Sequence, residues 1–240
     1  MSDARREFLA GARAQIPLLV GVAPFGMAYG AYAVKAGLSY GLAQAMSAII
    51  FGGASQFVAV RLISESVPDA IVVLTVLLVN ARHMLYSASL APYVAHLNKR
   101  WRWLLAYLLT DEAYATTVVH YRTLDQPSRE HAHWYFLGTA LALWTTWQIT
   151  TAIGVFVGTA VPDSWSLDFA LPLTFLAILV PALKDRPALA AALVAGVVAV
   201  VGFRWPYGTG LLTAMIVGMT AGIVVESIVG RSPDATVEAT

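Results

Sequence analysis

Long apolar runs, not one-sided stripes, organise this chain. Leu104–Leu109 and Ala188–Gly202 are uninterrupted in this way, and a helix that is apolar on every side has lipid for its outer solvent. Cut at its charged turns and helix breakers, the pattern predicts eight spans, at about 14–34, 38–63, 67–95, 101–121, 133–161, 167–183, 188–203 and 207–229. The seventh is short, and fusion of the last two across Arg204–Pro206 gives seven instead. A straight crossing needs about 20 residues. The third and fifth spans exceed that, so they are expected to tilt or break. The predicted fold class is an all-α, polytopic transmembrane helix bundle with helices broken near the bilayer midplane. One transport domain over 14–229 would lie between a cytoplasmic tail at 1–13 and a polar tail at 230–240. Phe51–Ala81 and Phe175–Val201 each join a small-residue or Pro-broken segment to a charged turn and an apolar helix. They form a candidate internal repeat of the kind transporters carry.

Composition sharpens this picture without redirecting it. Of 240 residues, 58% are hydrophobic and 12% charged, about half the charged fraction of a soluble domain. A net charge of +1 and the lack of a basic patch point away from nucleic acid. With no cysteine, disulfides, zinc–thiolate sites and thiol catalysis are excluded, and no metal or cofactor is expected. Trp101, Trp103, Trp134, Trp165 and Trp205 fall near predicted span ends, where a headgroup belt would hold them. Eight spans with the N-terminus in the cytoplasm put nine Lys and Arg inside and five outside, which favours that orientation. The run Lys99–Arg102 goes against the rule.

Chemistry concentrates at the middle of the first four spans. The first is centred on Pro24, inside Ala23-Pro24-Phe25-Gly26, so Pro24 and Gly26 are expected to break or gate it. The second carries Gly52-Gly53-Ala54-Ser55-Gln56, the third Asn80-Ala81-Arg82-His83, and the fourth Asp111-Glu112. A charge at the bilayer centre costs roughly 2.5–3.5 kcal/mol on insertion scales. Arg82, Asp111 and Glu112 must therefore face protein or water. One acid, Asp111 or Glu112, is expected to pair with Arg82. The other is left without a cation, and such a carboxylate is suited to taking up and releasing a proton. Glycines at Gly52 and Gly53 permit a break whose freed N–H and C=O groups could hold a zwitterion. Gly52, Gly53, Ser55, Gln56, Asn80 and His83 are the expected substrate-binding residues.

Other features have plainer readings. Gly26–Gly30, Gly154–Gly158 and Gly218–Gly222 suit close helix packing. His96, His120, His131 and His133 sit near predicted loop edges and read as solvated. Trp144, Trp147 and Gln148 fall mid-span and read as core, with a substrate-facing wall as the alternative.

Three of these runs carry a resemblance. Phe51-Gly52-Gly53-Ala54-Ser55-Gln56-Phe57, Leu77 through Tyr86, and Leu109-Thr110-Asp111-Glu112-Ala113-Tyr114 resemble the motifs of the AzlC family of branched-chain amino acid permeases. Gly21-Val22-Ala23-Pro24-Phe25-Gly26, and Leu167-Asp168-Phe169-Ala170 through Asp185-Arg186, are similar to it as well. One departure is Gly53, with Ser55, in the family's Gly-Ala-Ala/Ser-Gln run. The resemblance extends from about Gln15 to Val229. It implies an inner-membrane transporter exporting valine, isoleucine, leucine or methionine, with a small separate membrane subunit, AzlD.

The expected function is secondary transport, as an exporter, of a branched-chain or similar hydrophobic amino acid coupled to the proton gradient. An intramembrane serine hydrolase built on Ser55 and His83 is one alternative. A passive channel or scaffold subunit is the other.

Overall fold

The computed structural model describes residues 3–122, 131–158, 183–206 and 209–229, and all regular structure among them is helical. The chain falls into two compact units, Met1–Ser64 with Val76–Pro162, and Glu65–Thr75 with Asp163–Thr240.

Two long helices form the centre of the first unit. α1 runs Asp3–Lys35 and α8 runs Ala132–Gly158. Both qualify as membrane crossings by length and apolarity. Their contact is made backbone to backbone by small residues. A β-carbon on Gly138 would strike the carbonyl oxygen of Phe8, and one on Gly154 would strike that of Met27. Gly26 and Gly30 in turn leave room for Thr150 and for the backbone from Thr151 to Val155. Packing of this kind associates helices in lipid, where no hydrophobic effect drives them together.

The break expected at Pro24 does not occur. α1 continues through both Pro17 and Pro24. A proline removes only one hydrogen bond of its helix, and Pro24 lies on the exposed side, away from the buried face of Val22, Gly26, Tyr29 and Gly30 that docks on α8. Gly26 is thus a packing residue, not a hinge. The fifth predicted span is likewise unbroken; at 27 residues α8 is long enough to cross with tilt.

The second, third and fourth predicted spans are each split in two. α2 (Tyr40–Ile50) is followed by α3 (Gly53–Ser64), α4 (Asp69–Asn80) by α5 (Arg82–Val94), and α6 (Lys99–Tyr107) by α7 (Asp111–Arg122). Each piece is close to half of the roughly 20 residues a crossing needs. Ser39 and Asn98 cap α2 and α6 by accepting from Leu42 N and Trp101 N. α4 and α5 are bent by 41° at Ala81.

In the second unit, α9 (Arg186–Val201) begins at Asp185, whose carboxylate accepts from Ala188 N at 2.7 Å. The 3-10 turn Gly202–Arg204 follows it, and α10 runs Thr209–Val229. The last two spans are therefore not fused. Gly218 and Gly222 of α10 face Ala195 and Ala191 of α9, as small-residue packing predicts. Leu193, Val200, Ile223 and Ile228 are all more than 60% exposed, which only lipid or another membrane protein makes tolerable.

Among the described residues, four helices meet the length of a crossing, or five with α4 and α5 counted as one. The expected eight is thus not reproduced, chiefly because three of its spans are pairs of half-length helices. Most of the sixth span, and the stretch from Phe175 that carries the second repeat, lie outside the described residues.

Candidate substrate and ion-pair site

The break between α2 and α3 is built by Phe51, which takes a left-handed conformation (φ 40°, ψ 54°) at the end of α2. Side chains from the first turn of α3 then close the gap. Gly52 N donates to Gln56 Oε1 at 3.3 Å, and Ser55 Oγ donates to Gly52 O at 2.8 Å. The backbone groups of Gly52 are therefore already occupied, which corrects the expectation that this residue's own N–H and C=O would hold substrate. Its lack of a side chain matters instead: a β-carbon would come 3.2 Å from Asn80 Oδ1. At Gly53 a β-carbon would meet the rings of Phe25 and Trp147 at 2.7 and 3.0 Å.

Ser55 and Gln56 are fully buried. Gln56 Oε1 also accepts from Trp147 Nε1 at 3.1 Å, so Trp147 is tied to the break as well as packed in the core. Phe25, Tyr29 and Phe57 complete an aromatic cluster around it, with Phe25 and Phe57 4.9 Å apart. Two buried atoms here make no hydrogen bond among the described residues: Gln56 Nε2, a donor, and Asn80 Oδ1, an acceptor. Unsatisfied buried polar atoms are uncommon, and a ligand is one standard reason for them.

Arg82 and Asp111 are the first residues of α5 and α7. Arg82 Nη2 lies 3.1 Å from Asp111 Oδ2, and His83 Nε2 lies 3.8 Å from Asp111 Oδ1. The pair is 38% and 40% exposed, so it faces a space instead of being sealed in the core. Among the described residues, Arg82 Nε and Asp111 Oδ1 make no hydrogen bond. Glu112 is held otherwise, by Thr110 and by its own backbone N–H, with Asp111 and Arg82 as its charged neighbours. Beside the pair, Tyr86 of α5 stacks on Tyr114 of α7 at 4.5 Å, and Tyr114 Oη donates to Ser89 Oγ at 3.0 Å. α5 and α7 are thereby clamped together.

Three half-helix N-termini, at Gly53, Arg82 and Asp111, are linked through the Gly52–Asn80 approach and the Arg82–Asp111 pair. Each is the positive end of a helix dipole. No serine–histidine pair is made, since the Ser55 hydroxyl donates to Gly52 O and His83 turns to Asp111.

Sequence reasoning missed several polar pairs on the long helices. Gln44 Nε2 donates to Gln148 Oε1 at 2.7 Å, and Ser47 lies 3.1 Å from Thr151. His120, expected to be solvated, is half-buried and 3.0 Å from Glu7. A partner more than a hundred positions away leaves no mark in local periodicity.

Lipid-facing helices, three of their neighbours broken at one locus and a charged cluster at the break together define a polytopic helical membrane protein. Residues 17–161, more than half of the chain, match the AzlC protein family. The chain belongs to that family. It is 30% identical over 223 residues to the inner membrane protein YgaZ of Escherichia coli, covering 87% of this chain and 90% of that one. It is 33% identical over 174 residues to an uncharacterized membrane protein of Archaeoglobus fulgidus, covering 71% and 73%. The branched-chain amino acid transport protein AzlC of Bacillus subtilis is 27% identical over 166 residues, covering 69% and 63%. No solved structure matches the chain.

Proposed function

We propose that this AzlC-family protein is a secondary transporter that exports a branched-chain or similar hydrophobic amino acid across the inner membrane, coupled to the proton gradient. It works with a small AzlD-like membrane subunit and has its N-terminus in the cytoplasm. The observation that carries the reading is the meeting of two half-helix N-termini at the Arg82–Asp111 pair, with a third break, at Gly52, reached through Asn80. Broken helices of this kind present dipole ends to charged substrate groups in transporters. The relative named for branched-chain amino acid transport supports the same substrate class.

A zwitterion suits the groups on offer. The carboxylate is drawn to the helix N-termini, the Arg82 guanidinium and the unpartnered Gln56 Nε2. The ammonium is drawn to Asn80 Oδ1, which makes no hydrogen bond among the described residues, and to Asp111 Oδ1, which His83 Nε2 approaches at 3.8 Å. Gly52 and Gly53 keep the break compact, Ser55 holds it shut, and His83 orients Asp111. Glu112 is the proton-carrying acid, since Arg82 is committed to its neighbour. Access alternates about this locus.

The test is flux of labelled valine in proteoliposomes holding the chain with its companion subunit, with and without an imposed pH difference. Counterflow without a gradient and accumulation with one is the expected result. Flux that cannot be driven uphill would leave a passive channel, and no flux would refute transport of this substrate.

A further inference from the structure

A polar seam lies between α1 and α7, outside the substrate site. On α7, Glu112, Thr116 and His120 recur every four residues and so share one face. Gln15 and Glu7 meet that face from α1. The Thr116 hydroxyl reaches both Gln15 Oε1 and the backbone oxygen of Glu112, at 2.9 Å each. His120 Nε2 lies 3.0 Å from Glu7 Oε2, with their side chains 23% and 18% exposed. The His120 ring stacks on Tyr135 of α8 with centroids 3.7 Å apart, and Tyr121 stands at 6.4 Å.

Two features separate this seam from simple packing. First, Gln15 is completely buried, and its Nε2 makes no hydrogen bond among the described residues. A buried amide donor needs an acceptor, and in a polar seam that acceptor is a water molecule or a carboxylate. Second, burying an acid and a histidine together between two helices is costly compared with apolar packing. The rest of α1 joins α8 with small residues and needs no such help. A shallow cavity of about 480 Å³, lined by Ala115, Thr116, Val119, His120 and Tyr135, opens onto the His120 end.

We propose that this seam is the proton path of the transporter, joining Glu112 to the aqueous phase at the Arg122 end of α7. The idea rests on the proton-coupled reading above. The Glu7–His120 pair takes a proton from water. Water held in the seam by Gln15 and Thr116 relays it to the Glu112 carboxylate, and the reverse sequence releases it. No other bond is made or broken. The charged and titratable groups facing Glu112 are Asp111 and Arg82; those facing the outer pair are Tyr121 and Tyr135.

The test uses the full chain with its companion subunit in proteoliposomes, carrying labelled valine and a trapped pH dye. His120→Phe keeps the ring against Tyr135 but cannot carry a proton. Gln15→Leu removes the bridge, Glu7→Gln removes the outer acid and Glu7→Asp restores it. The expected result is normal valine exchange without a gradient for all four. Gradient-driven accumulation and dye-detected proton movement should fall at least about tenfold for the first three and recover in Glu7→Asp. If His120→Phe does not yield monodisperse protein, Gln15→Leu and the Glu7 pair decide the matter. Variants that accumulate valine as the wild type does, or that lose exchange along with accumulation, would overturn the path alone. A wild-type protein indifferent to the gradient would overturn the proton-coupled reading and the path with it.

Discussion

Arg82 is the costliest side chain of the site to lose, because Asp111 depends on it. Its bond to Asp111 is half-shielded, between the exposed pairs that contribute under about 1 kcal/mol and the buried ones whose rupture costs about 3–5 kcal/mol. Arg82→Ala should therefore lower stability by about 1–3 kcal/mol and abolish transport. Adding Asp111→Asn should recover yield but not activity, read as monodisperse protein and valine counterflow. A double variant that expresses no better than the single one would assign Arg82 to Glu112 instead. At Asn80 the expectation is different. Its Oδ1 makes no hydrogen bond among the described residues, so Asn80→Leu should weaken valine binding and leave thermal stability almost unchanged. Glu112→Gln should keep exchange and lose uphill movement under a pH gradient. If Asp111→Asn behaves that way and Glu112→Gln does not, the two acids have exchanged roles.

At the scale of elements, small residues decide which helices touch. Gly154 sits against the backbone of Met27, while Gly196 of α9 has nothing near its would-be β-carbon. Gly154→Val should therefore destabilise by roughly 1–3 kcal/mol or more through overpacking. Gly196→Ala should raise helix stability by about 0.5–1 kcal/mol. Thermal unfolding in one detergent measures both, and equal effects would mean the α1–α8 contact is loose. This level was largely legible in the sequence. Helix breaks near Gly52, Ala81 and Asp111 follow from glycines and from charges too costly to face lipid, and Arg82 found one of the two acids named for it. Two things were not legible. A proline reads locally as a break, yet α1 runs through Pro24 because its docking face lies elsewhere. Glu7 and His120 look like solvated ends, because helix contact and not local pattern brings them together.

On the scale of the whole molecule, the long helices and the short ones have different freedoms. α1 and α8 meet through main chain, with scarcely a flexible side chain between them, so neither can slide or roll without a collision. They behave as a chassis. The half-length helices of the first unit end at their breaks, and the proposed substrate groups sit at those breaks. Since the chain has no cysteine, one engineered disulfide can fix the chassis and nothing else. A β-carbon on Gly158 would lie 3.1 Å from that of Ala31 and 2.6 Å from its α-carbon, so the two backbones must part slightly to reach the usual 3.5–4.5 Å of a disulfide. Oxidised Ala31→Cys/Gly158→Cys protein should still exchange valine at the rate of its reduced form. Arrest on oxidation and release on reduction would mean that the chassis itself flexes. Otherwise the machinery that turns is the set of short helices, pivoting about a spine that stays still.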